Sequence, residues 1–371
     1  MDFDYTSEQR ELQAQARRFL AEHCPPSTVR RALDVADGAP DLELLKAIAD
    51  LGWLGVAIPE SEGGIGLGHV ELCALAEELG RALLPGPFAS SVYFFAETLR
   101  VAGSVAQRQR WLPLIASGDA IGCTAFYEGV GELDSTSCEA RVEGGRLYGI
   151  KQPVVDGMAA DACVVMARDS DGLGLFLAAP LDDGVERTQL HSIDGSRPLA
   201  RLRFDGVEVD RLGGPGEGIA LARRTLERAA VPLAFEQVGA ADRCLEMARD
   251  YALQRRAFGR PIGSFQAIKH RLADMYVRNE LARSNAYYAA WALATDAPQL
   301  GAAAAAARIA ATEAFEFAAR ENIQVHGGIA ITWEADPQLF LRRARHCAVV
   351  AGSADWWAEQ LVTALTAVQE V

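Results

Sequence analysis

The sequence is poor in the features that mark disulfide-bonded, zinc-bound and membrane-spanning proteins. Its seven cysteines are an odd number and widely spaced, with no CxxC pair and no Cys/His cluster, which argues against a disulfide framework or a structural zinc site. The most apolar long run, residues 301–311, is interrupted by Arg308 and is shorter than the roughly 20 residues that cross a bilayer. The N-terminus also lacks the basic and apolar segments of a secretory signal. We therefore expect a soluble, cytoplasmic protein with no metal site and no membrane span.

Basic residues are also in deficit. The 371 residues include 36 Lys and Arg against 50 Asp and Glu, a net charge of −14 at pH 7. Such a chain repels the phosphates of nucleic acids and anionic lipids, so a nucleic-acid partner is not expected. Half of the residues are hydrophobic, which is enough to bury a large core and excludes a disordered protein.

The hydrophobic periodicity divides the chain into three parts. Apolar residues recur at steps of three and four from Thr6 to about residue 115, which predicts helices, and short apolar or alternating runs between about residues 120 and 210 predict strands. Beyond residue 216 the helical period returns and predicts four long helices, at roughly 217–253, 264–294, 298–324 and 335–368. We predict a mostly α, α+β fold with an N-terminal helical domain (1–118), a middle antiparallel β domain (119–212) and a C-terminal four-helix bundle (213–371).

Two stretches in the C-terminal part suit an anionic ligand that carries an aromatic ring. The first, at residues 251–275, places Arg255, Phe258 and Gly259 at the junction of two predicted helices. A guanidinium can form paired hydrogen bonds to a pyrophosphate, and an aromatic side chain can lie against an adenine or flavin ring. The same residues also suit an ordinary solvated turn between helices, so both interpretations stay open.

The second stretch begins at Gln324, where Gly327 and Gly328 end a long predicted helix beside His326. Glycines at a helix end free backbone amides and allow a ligand to approach the backbone closely. An ordinary glycine helix stop gives the same pattern. This stretch by itself therefore also leaves two interpretations open.

Together with the order of helical, β and helical parts, the two stretches resemble the acyl-CoA dehydrogenase family over nearly the whole chain. Its members carry R-x-x-F-G, followed seven residues later by Gln, and Q-x-x-G-G. The resemblance implies that these residues of one subunit hold the ADP half of an FAD whose isoalloxazine lies mainly in the neighbouring subunit. The residues predicted to bind FAD are Arg255, Phe258, Gln266, Gln324, Gly327 and Gly328.

The resemblance also implies a reaction. In this family a glutamate removes the α-proton of an acyl-CoA thioester while the β-hydrogen leaves as hydride to the flavin, so both carbons must be aligned together. Burial must raise the pKa of the base, and hydrogen bonds must polarise the thioester carbonyl. The expected partners are an acyl-CoA substrate, an electron-transfer flavoprotein as candidate electron acceptor, and further subunits in a dimer or tetramer.

The middle part departs from the family where the flavin ring would lie. The usual T-E-x-x-x-G-S-D loop corresponds to residues 125–134, which keep Glu128, Gly131 and Asp134 but lack the Thr before the Glu and the Ser before the Asp. The strand that usually places a Trp beside the flavin corresponds to residues 151–157, where that Trp is missing. We therefore expect an eroded flavin-facing surface on this chain.

The usual base position is empty as well. Aligning the basic run at residues 342–345 with the family's R-D-A-K places Ala351 at the catalytic glutamate, and alanine cannot abstract a proton. Some members carry the glutamate on the first helix of the bundle, and that site falls near Ala229. Two candidates lie close by. Glu227 is two residues earlier, about 200° around the helix, and Glu236 is seven residues later, about 10 Å along the same face; either can equally be a structural carboxylate.

The C-terminal segment GSADWW, residues 352–357, resembles the small subunits of heteromeric acyl-CoA dehydrogenases that act on pimeloyl-CoA or steroid side-chain thioesters. In such pairs one subunit typically supplies the base, while the other completes the FAD-binding interface. We therefore predict a base-deficient small subunit that forms a heterotetramer with a homologous large subunit. Two alternatives stay open: a homo-oligomeric dehydrogenase that uses Glu227 or Glu236, and a non-enzymatic assembly homologue.

Overall fold

The computed structural model describes residues 5–35, 38–129, 133, 138–181 and 183–369, and of residues 367–369 it describes the backbone alone. The chain forms two compact units. Unit 1 comprises Met1–Val29, Cys73–Leu84 and Ala230–Val371, and unit 2 comprises Arg30–Leu72 and Pro85–Ala229. The three-domain division with boundaries at 118/119 and 212/213 stays a prediction.

Eleven α-helices lie within the described residues, and local capping explains where several of them begin. The Thr6 hydroxyl accepts a hydrogen bond from the backbone N–H of Gln9, and the Gln9 side-chain oxygen accepts one from the backbone N–H of Thr6, so a capping box starts the first helix. Ser104 and Gln107 form the same box at the sixth. A buried π-helix, Ala89–Ala96, precedes the fifth. The α-helices are α1 (Ser7–His23), α2 (Pro26–Asp34), α3 (Leu42–Asp50), α4 (His69–Arg81), α5 (Glu97–Ala102), α6 (Val105–Ser117), α7 (Gly218–Gln254), α8 (Gln266–Ala294), α9 (Leu300–His326), α10 (Pro337–Val349) and α11 (Ala354–Gln369).

The C-terminal helices follow the predicted order with one difference. Three of the four predicted helices correspond to α7, α8 and α9, and α7 continues through Pro232. The single helix predicted at 335–368 is wrong, because α10 and α11 are separate helices. Val350 is extended, and Ala351 and Gly352 both have positive φ, so the backbone leaves the helical path between the two.

The strands of unit 2 form one seven-stranded sheet. Its order is β1-β4-β2-β3-β7-β5, β6 pairs with β7, and the pairing of β4 with β5 closes a ring of five strands. Because β1 and β2 run parallel to β4 while the other pairs are antiparallel, the sheet is mixed rather than purely antiparallel. The strands are β1 (Gly122–Ala125), β2 (Arg141–Glu143), β3 (Arg146–Val155), β4 (Ala162–Asp169), β5 (Gly172–Ala178), β6 (Val185–Leu190) and β7 (Leu199–Leu212).

Long β7 shows how the sequence pattern sets the core of this sheet. Ala200, Leu202 and Phe204 are buried at alternate positions, and Arg201 and Arg203 between them are exposed. Successive side chains of a strand point to opposite faces, so this alternation places one face in the core. Strand β4 is instead buried from Ala162 to Ala167, as its continuous apolar run predicts.

The described ranges contain neither a membrane-spanning helix nor a cluster of metal-ligating side chains. No helix there is both long enough and apolar enough to cross a membrane. The same residues contain no group of three or more His, Cys, Asp and Glu side chains arranged to hold a metal ion.

The helices of unit 1 are organised by a close crossing of α4 and α7. A Cβ atom at Gly80 would overlap the carbonyl oxygen of Glu236, and a Cβ atom at Gly239 would overlap the carbonyl oxygen of Glu77. The two backbones therefore touch at a pair of glycines, one from each helix. Any larger side chain at either position would force the helices apart.

Charged side chains surround this crossing. Arg283 of α8 forms ion pairs with Glu77 of α4 and Asp242 of α7. Arg81 donates a hydrogen bond to Glu246 at 2.6 Å. Arg17 of α1 donates two hydrogen bonds to the buried carboxylate of Glu78, from Nη2 to Oε1 at 2.7 Å and from Nε to Oε2 at 2.9 Å. Buried charges need partners, and here the partners come from different helices. The network therefore links α1, α4, α7 and α8.

We predict that Gly239→Ala strongly destabilises the protein. The added methyl group meets backbone rather than a flexible side chain, so overpacking should cost at least about 3 kcal/mol and lower the apparent melting temperature by about 5 °C or more. Thermal unfolding followed by circular dichroism measures the change. Gly195→Ala is the matched control, since its Cβ would meet Leu33 only at ordinary contact distances of 3.5 Å or more. Equal melting temperatures for the two variants would contradict the prediction.

Candidate functional site

The two motif stretches predicted from the sequence lie at the ends of α7 and α9 in unit 1. Helix α7 ends at Gln254, and the chain then forms a small hairpin of two-residue strands, β8 (Arg256–Ala257) and β9 (Arg260–Pro261), before α8 begins at Gln266. Helix α9 ends at His326, and a short 3-10 helix, Gly327–Ile331, follows. Both motifs are therefore loops that follow long helices, as predicted.

A ring contact brings the two motif loops side by side. Tyr251, in the last turn of α7, stacks on His326 at the end of α9, with ring centroids 4.2 Å apart and planes 26° apart. The Nδ1 atom of His326 contacts the Asn322 carbonyl oxygen at 2.9 Å, so the ring is also held by its own helix. His326 thus has a structural role in joining the loops, whether or not it contacts a ligand.

Phe258 is held in an unusual conformation at the tip of the hairpin. Its side chain is 94% exposed, and its φ of 53° lies in the left-handed region that residues other than glycine seldom adopt. The ring makes an edge contact with Phe265, whose own ring lies under the Arg260 guanidinium at 4.1 Å. An aromatic side chain that is strained and almost fully exposed suits a contact with another molecule.

The glycines of the two loops leave space for such a molecule. Among the residues that the structure describes, a Cβ atom at Gly259, Gly327 or Gly328 would meet nothing within 4 Å. Positive φ explains glycine at the first two positions. Gly328 has no positive φ, and the open space beside it leaves room for close approach by a ligand or partner.

The polar residues of the motifs are also exposed. Arg255, Gln266 and Gln324 all lie at the surface of unit 1. An arginine and two amides can supply hydrogen-bond donors to phosphate oxygens or to a heterocyclic ring. The six predicted cofactor residues thus lie at the junction of α7 and α8 (Arg255, Phe258 and Gln266) and at the C-terminal end of α9 (Gln324, Gly327 and Gly328). Their roles stay predictions.

The middle-part loop is described only in part. Gly131 and Asp134 lie outside the described residues. Glu128 is described, and its carboxylate accepts hydrogen bonds from Lys151 Nζ at 2.6 Å and from the backbone amides of Glu139 and Ala140. Burial opposes ionisation of Glu128, but these hydrogen bonds outweigh burial and lower the pKa of its carboxyl group.

An alanine, and no carboxylate, occupies the predicted base position. Ala351 is buried and has a φ of 63° in the turn between α10 and α11. The turn is rigidly held: Trp357 Nε1 donates to the Ala351 carbonyl at 3.0 Å, and the buried Arg308 donates to the Val350 carbonyl at 2.8 Å. The position is therefore well ordered but lacks any group that could take up a proton.

The alternative base position and its two neighbours lie along α7. Ala229 is buried, and Glu236 is only 2% exposed, at the glycine crossing described above. Glu227 is half-buried, and burial raises the pKa of its carboxyl group despite Arg224 and Arg223 nearby. Nothing in the structure tests either glutamate as a base, so both stay predictions.

The comparisons with known proteins agree with this architecture. Residues 6–119 match the acyl-CoA dehydrogenase N-terminal domain, and residues 216–365 match the acyl-CoA dehydrogenase C-terminal domain. The chain is 37% identical over 341 residues to the acyl-CoA dehydrogenase IpdE2 of Mycobacterium tuberculosis, covering 91% of each chain. The chain belongs to the acyl-CoA dehydrogenase family.

Solved structures of this acyl-CoA dehydrogenase family share the whole fold. One chain of the ChsE4-ChsE5 complex from Mycobacterium tuberculosis superposes with a TM-score of 0.88 at 31% identity, covering 99% of each chain. Butyryl-CoA dehydrogenase from Megasphaera elsdenii superposes with a TM-score of 0.90 at 25% identity, covering 99% of this chain and 100% of the other. The predicted fold class and the predicted family are therefore confirmed.

One polar cluster of this acyl-CoA dehydrogenase was not predicted from its sequence. In unit 2, the buried Glu97 carboxylate lies 3.3 Å from His69 Nε2, accepts a hydrogen bond from Arg100 at 3.0 Å and pairs with Arg228, the residue before Ala229. Glu97 follows directly on the apolar π-helix, and a charged residue in such an apolar run is the signal that could have revealed it. Its partners come from α4 and α7, which sequence spacing alone does not bring together.

The electrostatics of Glu97 make it a poor base. Burial opposes its ionisation, but His69, Arg100 and Arg228 outweigh burial and hold the pKa of its carboxyl group well below the usual range. A general base needs a pKa near the working pH. Glu97 therefore serves as a permanent counter-ion rather than as a proton acceptor.

We predict that Glu97→Gln destabilises the protein at neutral pH by about 3 kcal/mol or more, because two arginines lose a buried counter-ion. Since the folded-state pKa is lowered, the stabilisation from Glu97 is present above the unfolded-state pKa and is lost as the pH falls towards the folded-state pKa. The melting temperatures of wild type and variant should therefore converge below about pH 4. Glu186→Gln, an exposed position in the same unit, is the control. A difference in melting temperature between wild type and Glu97→Gln that does not become smaller in acid would contradict this account.

Proposed function

We propose that this chain is the base-deficient small subunit of a heteromeric, FAD-dependent acyl-CoA dehydrogenase. A homologous large subunit supplies the catalytic base. The observation that carries the proposal is a contrast within unit 1: the cofactor motifs are present on exposed loops, whereas a buried alanine occupies the usual base position. A chain with these properties suits a site that two different subunits complete together.

The motif loops fit the ADP half of FAD. Arg255 would hold the pyrophosphate through paired N–H groups, Phe258 would lie against a ring, and Gln266 and Gln324 would supply amide hydrogen bonds. The open space beside the two glycines 327 and 328 supports close approach of the cofactor to the backbone. FAD, when bound, supplies the acceptor for the β-hydrogen of the acyl chain.

The α-proton needs a base that this chain does not present at the usual position. A thioester α-proton is too weakly acidic to leave without a positioned carboxylate of raised pKa. Glu97 and Glu128 are held as counter-ions with lowered pKa values, so neither suits this role. The partner subunit is therefore the proposed source of the base, and this chain contributes cofactor binding and assembly.

The exposed apolar side chains of α8 support an assembly with a further chain. Tyr276, Val277 and Leu281 are each more than half exposed, and Val277 and Leu281 lie four residues apart on one side of the helix. Apolar groups clustered on a surface mark protein interaction sites. The likeness to one chain of a two-protein complex favours a homologous large subunit over a second copy.

Substrate and electron acceptor follow the family. We propose an acyl-CoA thioester as substrate and an electron-transfer flavoprotein as electron acceptor. A cytoplasmic location stays a prediction.

A second candidate is a homo-oligomeric dehydrogenase that uses its own glutamate. The raised pKa of Glu227 is the observation in its favour, because burial tunes this carboxyl towards the working range of a base. Against it, Glu227 lies about 200° around α7 from the position of Ala229.

The first experiment compares the flavin content of the purified chain alone and after co-expression with the product of an adjacent homologous gene. The proposal expects a colourless chain alone and a yellow complex with about one FAD per pair of chains, because one composite site needs both subunits. Visible absorbance relative to protein measures it. A lone chain that retains one FAD per chain would contradict the heteromeric proposal.

We predict that Arg255→Gln weakens FAD binding by the complex about tenfold or more, because one charge-assisted contact to the pyrophosphate is lost. Fluorescence titration of the flavin-free complex measures the dissociation constant. Arg249→Gln is the matched control, since Arg249 is an exposed arginine of α7, the helix that ends just before Arg255, and it pairs with Asp250. Equal FAD affinities in the two variants would rule out the proposed role of Arg255.

The location of the base is tested by Glu227→Gln and Glu236→Gln, each assayed in the complex. The heteromeric proposal expects less than about threefold loss of turnover, whereas loss of a general base costs about 100-fold or more. Flavin content of each variant complex serves as the control for folding. A loss of 100-fold with normal flavin content would identify that glutamate as the base and overturn the proposal.

A further inference from the structure

A thiol, an amine and a carboxylate meet in the interior of unit 2. The Nζ atom of Lys151, on β3, lies 2.6 Å from Glu128 Oε1 and 3.5 Å from the Sγ atom of Cys138. The Cys138 thiol in turn lies 3.3 Å from the same carboxylate oxygen. Lys151 is completely buried, and Cys138 is 6% exposed. All three groups are thus in mutual contact, and the amine and the thiol are shielded from water.

The lysine is notable because this chain otherwise uses arginine. Of its 36 basic residues, 33 are arginine, and the other two lysines, Lys46 and Lys269, are exposed. A buried cation that only pairs with a carboxylate is held equally well by a guanidinium, which offers two parallel hydrogen bonds. A primary amine differs in that its nitrogen can form a covalent bond once it has lost a proton. Lys151, a buried amine in a chain that otherwise uses arginine, therefore lies beside the thiol of Cys138.

The Glu128 carboxylate accepts hydrogen bonds from both the amine and the thiol. Glu128 accepts from Lys151 and from the backbone amides of Glu139 and Ala140, at 2.7 and 2.9 Å. Burial raises the pKa of the Cys138 thiol, so its S–H group is retained at neutral pH and points its proton at Glu128. Glu128 thus holds the ammonium group and the thiol side by side, and the proton that Lys151 loses is released to solvent at the edge of the cluster, where the Glu128 side chain is 12% exposed.

We propose that Cys138 and Lys151 form a covalent modification site at which molecular oxygen joins Sγ to Nζ through one bridging oxygen atom. The S–H bond and one N–H bond of the neutral amine break, and S–O and O–N bonds form. Sulfur and nitrogen are each oxidised by two electrons, and molecular oxygen is reduced by four. One oxygen atom enters the bridge, and the other leaves as water with the two released hydrogens. The site goes beyond the dehydrogenase function and does not depend on it.

The bridge would change the electrostatics around Glu128. The bridged nitrogen no longer carries the ammonium charge, so Glu128 loses its ion pair and keeps only its backbone hydrogen bonds. The link also ties the segment that begins at Cys138 covalently to β3. Thiol oxidation products of this kind are reversible by added thiols.

The test uses the full chain purified under reducing, oxygen-free conditions and divided between oxygen-free and air-saturated buffer. After acid denaturation and alkylation, mass spectrometry of the intact chain and of tryptic peptides is recorded. Relative to the reduced chain before alkylation, the linked chain should weigh about 14 Da more, with one oxygen added and two hydrogens lost. It should also take up one alkyl group fewer than the oxygen-free sample. The mass should lie in a linked pair of peptides, one with Cys138 and one with Lys151 uncleaved. Dithiothreitol should remove it.

Matched variants assign the link. Cys138→Ser and Lys151→Arg should both abolish the mass gain, and Lys151→Arg keeps the cation beside Glu128, so its fold can be checked by its melting temperature. Cys244→Ser, which removes a different buried thiol, should keep the gain. The proposal is overturned if Cys138 is fully alkylated after aeration, if it gains oxygen without joining Lys151, or if the gain persists in Lys151→Arg.

Discussion

The crossing of α4 and α7 is the constraint on which unit 1 depends. Because Gly80 and Gly239 let the two backbones touch, the acidic side chains beside them, Glu77 and Asp242, come within reach of Arg283 on α8. Ion pairs to α1 extend the same network. Helix α7 then continues unbroken to Tyr251, whose contact with His326 sets the two motif loops beside each other. The position of the candidate cofactor site thus depends on the helix contact that these two glycines allow.

The chain separates two properties that a complete dehydrogenase site combines. Its motif loops present an exposed arginine, a strained aromatic residue and open glycine backbone, which is what a cofactor reaching in from outside requires. Arg308 and Trp357 hold the turn at Ala351 through hydrogen bonds, and the alanine side chain offers no proton acceptor. This combination supports the heteromeric proposal, in which this chain contributes to cofactor binding and a different subunit carries out the proton transfer.

Burial alone does not make a carboxylate a base, as three glutamates of this chain show. Glu97 and Glu128 are shielded, but arginine, histidine, lysine and backbone partners stabilise their charged forms and lower their pKa values. Glu227 has weaker compensation from Arg224 and Arg223, so burial dominates and raises its pKa. The partners of a buried group therefore decide its chemistry. Only the tertiary structure reveals those partners.

The sequence by itself determined the order of helical, β and helical parts, the two motif loops and the family, because helix periodicity, strand alternation and glycine turns are recorded in residues close together in the chain. It did not reveal the break of the last helix at Ala351, the parallel pairing of β1 and β2 with β4, or the cluster around Glu97. Tertiary structure decided these features. Glu97 and Arg228 are 131 residues apart, and such contacts depend on how whole helices and strands pack, which no local pattern encodes.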